Sequence, residues 1–158
     1  MLCSHQLVVL AAGLTFARGQ VFQPENHHKL KQQVDFCKFY QWNTTAMPNC
    51  SAPDWDVSLV TSLESIFMND AFFNQNISGW NTSSVLNMKD LFSNAKKFNH
   101  NINNWDTSAV SNMRGVFEAC SDFNQPLNHW KTDSVTNMHA MFSDCLLYTS
   151  PSPRDFTE

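Results

Sequence analysis

A tryptophan recurs at Trp55, Trp80, Trp105 and Trp130, a step of 25 residues held without slippage, and a phenylalanine keeps the same step at Phe67, Phe92, Phe117 and Phe142. A fixed period of that length restricts the chain to a stack of like units, with equivalent side chains one above another along the axis. With the tryptophan as position zero, plus five is Val60, Val85, Val110 and Val135, and plus eight is Leu63, Met88, Met113 and Met138. Plus eighteen is Phe73, Phe98 and Phe123, and plus twenty-two is Ile77, Ile102 and Leu127. No insertion breaks the frame, so complete units run 55–79, 80–104 and 105–129, with a partial unit at 130–144. The few large apolar side chains of one unit do not offset the entropy of ordering its backbone, so a lone unit does not fold. Stability has to come from faces shared between neighbours.

Within a unit, apolar positions such as Val110, Met113, Val116 and Phe117 follow the three-to-four-residue step of one helical face. Ser58, Ser83, Ser108 and Asp133 precede that run and are residue types that satisfy a helix N-terminus. The second half, as in "FNQNISGW", suits a brief extended segment followed by a turn. The expected fold is therefore an α/β-type repeat solenoid, each coil holding one short helix and one short extended segment. Asn74, Asn99 and Asn124 follow a core phenylalanine at one repeat position, and a stacked column there is read as structural, bonding its own loop and the next coil. The tryptophans are read as a buried stack, the sharper alternative being an exposed aromatic stripe that grips sugar rings.

The unit W-[DNK]-[TV]-[SD]-x-V-x-x-[ML]-x-x-h-F-x5-F-N-x-x-[IL]-x-x-W, with h a large aliphatic or Met, resembles the repeat of BspA-like leucine-rich-repeat surface proteins over residues 55–144. That resemblance implies a right-handed, curved solenoid on a secreted or cell-surface protein that binds proteins, host matrix or glycans, with no catalytic residues to transfer. Val57, Asp133 and Pro126 depart from the pattern without threatening the fold.

Residues 1–19 read as a signal peptide: "LVVLAAGLTFA" at 7–17 has the length of an apolar h-region, and "ARG" ends it with small residues. The stretch is too short to span a bilayer. Residues 20–54 break the period and should cap the first coil, with Trp42 and Phe36 over its apolar end. Cys37 and Cys50 are expected to form a disulfide in an oxidising compartment, and Cys120 to be a buried thiol. Four N-x-[ST] sequons, at Asn43, Asn49, Asn76 and Asn81, are candidate glycosylation sites. Residues 145–158 begin "CLLYTSPSPRD", which abandons the repeat and resembles a translated sequencing adapter; the natural chain is expected to continue past Asp144.

The formal charge is -4, or -5 once Arg18 leaves with the leader, and no basic nucleic-acid footprint or polybasic membrane patch is present. His27 and His28 are adjacent rather than spaced as ligands, and His100, His129 and His139 fall at different repeat positions, so neither a metal site nor a cofactor is expected. No nucleophile–base–acid set stands out, and enzyme function is not expected. The expected role is a non-catalytic recognition or adhesion module for an extracellular protein or glycan, using variable outward positions such as Lys89, Arg114 and His139 at plus nine. The alternative is a regular surface, for ice binding or a passive surface-layer spacer, built on the ladder Thr82, Thr107 and Thr132.

Overall fold

The computed structural model describes residues 21–45 and 50–145. The expected leader, Asn49 and the tail from 146 onward lie outside the described residues. Among those described there is one α-helix, α1 (His27–Phe39), one 3-10 turn (Ala52–Asp54) and no strand. The α/β-type repeat solenoid is therefore not what this chain forms. Its repeats stack as coils made of turns, with isolated parallel bridges that run Ser62 to Asn87 to Asn112 to Asn137.

The reason lies in where the backbone N–H groups go. Those of Leu63, Ser65, Phe67 and Asn69 donate to Asn87, Lys89, Leu91 and Ser93 carbonyls of the next coil at 2.8–3.0 Å. The intervening Ile66, Met68 and Asp70 close tight turns onto Leu63, Ser65 and Phe67. An α-helix requires every N–H to reach the carbonyl four residues back. Two left-handed residues per coil prevent that: Ser65, Asp90, Gly115 and Ala140 at one position, and Asn69, Asn94, Ala119 and Asp144 four residues on, all with φ between 53° and 60°. The three-to-four-residue apolar step is thus the step of consecutive turns.

The expected helix caps are corrected in the same way. The oxygens of Asp56, Asn81 and Asp106 accept from the N–H groups of Ser58, Ser83 and Ser108 at 3.0–3.2 Å. The serine is the donor at an Asx turn, and no helix follows it. A second column of Asx turns has Asn87, Asn112 and Asn137 accepting from Lys89, Arg114 and His139.

The core is a set of aromatic ladders. Ring centroids of Phe67, Phe92, Phe117 and Phe142 step by 5.5, 5.8 and 5.5 Å, and those of the four repeat tryptophans by 6.4, 6.1 and 6.5 Å. Inside each coil the two phenylalanines stack, as with Phe92 and Phe98 at 4.0 Å. Three of the indole N–H groups also reach back 28 residues: Trp80 donates to Ala52 in the N-terminal segment, Trp105 to Ile77 and Trp130 to Ile102, at 2.9–3.1 Å. Trp105→Phe keeps a ring in the stack but leaves the Ile77 carbonyl without this donor. That carbonyl keeps the Trp80 N–H at 3.1 Å, so chemical denaturation should show the loss of one net hydrogen bond, about 0.5–1.5 kcal/mol, whereas unchanged stability would mean that the indole bond contributes nothing.

At the N-terminal end, the Asn26 side chain accepts from Lys29 N–H and starts α1. The helix buries Leu30, Val34 and Cys37, and a disulfide joins Cys37 to Cys50. Phe36 packs half-buried on the core, while Trp42 lies against Trp55, Phe67 and Phe73 and donates to Asp70 Oδ2 at 2.7 Å. Burial pushes the Asp70 carboxyl above its ordinary value, opposed by the Trp42 bond, by Lys38 and by the N–H groups of Phe72 and Phe73. Between the unfolded and the folded value, the folded chain holds a proton that the unfolded chain has released. This group's stabilisation is complete below the unfolded value and is lost as pH rises through the folded one. Asp70→Asn abolishes the effect, so wild-type stability minus variant stability should decline with rising pH in the acid range, by at most about 1.4 kcal/mol per pH unit. A pH-independent difference in urea midpoints would sink this.

Candidate functional site

The outward plus-nine column is Glu64, Lys89, Arg114 and His139, set on successive coils by backbone bonds such as Ser65 N–H to Lys89 and Asp90 N–H to Arg114. Lys89 Nζ sits 2.8 Å from Glu64 Oε1, and Asn87 Nδ2 donates to Glu64 Oε2 at 2.9 Å. The Lys89 hydrogen bond holds the Glu64 carboxyl below its usual range, and the same bond raises the Lys89 ammonium. Lys89 is thus engaged by its neighbour, while Arg114 and His139 stand exposed. The three side chains form one column on successive coils.

A concave feature lies at another face. A cavity of about 510 Å³ crosses the first three coils, at the turns that close each repeat ahead of the next tryptophan. Asn76 and Ser78 come from the first coil, His100, Asn101, Asn103 and Asn104 from the second, and His129 from the third. These turns share a backbone but not a sequence: "NISG", "NINN" and "PLNH". In two of them an Asx turn fixes the first residue, Asn76 accepting from Ser78 N–H and Asn101 from Asn103 N–H. Asparagines also join the coils. Asn104 Nδ2 donates to Ser78 carbonyl at 2.9 Å, Asn103 Nδ2 donates to Asn128 Oδ1, and His129 N–H donates to Asn103 Oδ1. No position here was singled out from the sequence for ligand contact. Variation between coils at plus twenty to plus twenty-four was visible, but its place on a groove depends on how the turns project.

Among the sequons, Asn43, Asn76 and Asn81 are exposed; Asn81 Oδ1 accepts from both N–H and Oγ of Ser83, at 3.2 and 2.7 Å. The repeat tryptophans and Phe67, Phe92 and Phe117 are buried, so they present no aromatic stripe to a ligand. Asn99 N–H donates to Asn74 Oδ1 and Asn124 N–H to Asn99 Oδ1, which places that column in coil-to-coil bonding. Thr82 and Thr107 are 2% and 1% exposed and donate to backbone carbonyls of the following coil, so these two are not an outward ladder. Cys120 is buried beside Ala95 carbonyl, and burial pushes its thiol up to about 12. Among the described residues no group of three or more His, Cys, Asp or Glu side chains is placed to hold a metal ion. No described helix is long and apolar enough to cross a membrane.

A family model described as "Mycoplasma protein of unknown function, DUF285" matches residues 34–152. This match does not confirm the BspA-like leucine-rich-repeat resemblance. No curated protein and no solved structure matches the chain.

Proposed function

The chain belongs to the DUF285 family, and from that premise we propose that it is a non-catalytic recognition module working at the cell surface or outside the cell, with a protein or glycan as its ligand. One observation carries the reading: a polar groove crosses three coils whose cores are nearly identical, and the residues lining it differ from coil to coil. Repeat stacks put constant positions into the core and leave variable ones for binding. The Cys37–Cys50 disulfide and the exposed sequons at Asn43 and Asn81 suit an oxidising, extracellular setting. The leader expected at 1–19 would supply the route.

The test uses the full chain, purified in its oxidised form and applied to cell-surface extracts at physiological salt. Saturable binding supports the reading. Absence of saturable binding overturns it, and so does thermal hysteresis, which would restore the regular-surface alternative.

A further inference from the structure

We propose that the groove binds a neutral oligosaccharide through its hydroxyl groups, an inference that rests on the recognition reading above and narrows its ligand. The groove side chains are oriented before any ligand arrives. Because Asn76 Oδ1 accepts from Ser78 N–H at 3.1 Å and Asn101 Oδ1 from Asn103 N–H at 2.9 Å, each Nδ2 is left as a donor facing away from its turn. Asn104 is held the opposite way round: its Nδ2 donates to Ser78 carbonyl, so its oxygen remains as an acceptor. His100 Nε2 lies 3.1 Å from the carbonyl of Asn74. A carbonyl only accepts, so in the neutral ring Nε2 carries the hydrogen and Nδ1 is an acceptor. The groove thus offers two donors and two acceptors, each fixed by a bond to the protein, which lowers the entropy cost of engaging a ligand.

Three further features select the class. No apolar side chain lines the groove, so an anchoring residue of a peptide partner has nothing to bury against. No Lys, Arg, Asp or Glu lines it either, and the chain carries a formal charge of -4, so a sulfated or sialylated glycan meets no fixed counter-charge. A hydroxyl both donates and accepts, and neighbouring sugar hydroxyls match alternating amide donors and acceptors. The groove extends over two coil steps, 6.1 and 6.5 Å between the tryptophan rings that follow its turns, which fits a short chain of sugars rather than one ring.

The experiment uses the full chain made in the bacterial periplasm, where the disulfide forms and Asn76 carries no eukaryotic N-glycan. It is applied to an array of immobilised neutral, sialylated and sulfated oligosaccharides. Asn76→Asp and Asn101→Asp keep the oxygen that each Asx turn needs but replace the outward donor with an acceptor. Lys31→Gln on α1 is the control, and near-UV circular dichroism checks folding of every variant. The expected result is saturable binding to neutral glycans, weakened about tenfold or more in both Asn variants and unchanged in the control. Binding confined to charged glycans, or equal binding by both Asn variants and wild type, overturns the proposal. A blank array with protease-sensitive binding to cell-surface extract overturns the groove's glycan assignment and leaves the recognition reading standing. Blank results on both remove the two together.

Discussion

Phe92→Ala lowers the free energy of unfolding by about 3–5 kcal/mol, the range for emptying a large aromatic from a packed interior. Phe92 is fully buried and its ring meets Phe67 and Phe117 in the flanking coils, Phe98 in its own coil and Trp105. Removing it opens a hole in the middle of two ladders, with coils fixed on both sides that cannot close in. Phe142→Ala, in the last described coil and half-buried, should cost clearly less. Urea denaturation of the two variants under identical conditions reads the difference directly. Equal losses would mean that the coils do not share their interior as the ring stacking indicates.

The second large effect comes from the covalent closure of the N-terminal cap. Replacing Cys37 and Cys50 together by serine should remove about 3 kcal/mol, the value for releasing a short loop; the separation here is 13 residues. More than loop entropy is involved, because the bridge anchors the end of α1 beside Trp42, whose indole covers Phe67 and Phe73. Gln75 reinforces the same corner by donating to Cys50 carbonyl and accepting from Ala52 N–H. Reductant should lower the wild-type melting temperature to near that of the double variant and leave the double variant unchanged. Wild-type stability that is insensitive to reductant would contradict this account. Cys120→Ala provides the contrast: its thiol is outside the bridge, so the response to reductant should persist.

The columns of Trp55, Trp80, Trp105 and Trp130 and of Phe67, Phe92 and Phe117 were legible because period alone forces equivalent side chains into equivalent places. Local conformation was not legible. Val110, Met113, Val116 and Phe117 keep a spacing that a helix and a run of tight turns share, and periodicity cannot separate them. What separates them is the destination of alternate N–H groups in the next coil, a non-local matter. Local hints did exist: Asp56, Asn81 and Asp106 stand two residues before a serine, the spacing of an Asx turn. Left-handed Ala119 and Ala140, by contrast, carry no such mark, since alanine has no preference for that region. The candidate site divides in the same way. Lys89, Arg114 and His139 were recognisable as a variable column, but the groove needs turns from three coils set side by side. The asparagine column Asn74, Asn99 and Asn124 could be read in advance because its role follows from stacking itself.

The indole bonds that reach back 28 residues, and the backbone bonds that reach forward 24, make this a molecule whose grammar counts in whole sentences. Adding or deleting an entire 25-residue block leaves each backbone and indole donor opposite an acceptor of the same kind, so copy number is free to drift. A one-residue slip inside a block misaligns all that follows it, and a lineage carrying such stacks should therefore vary in height long before it varies in pitch.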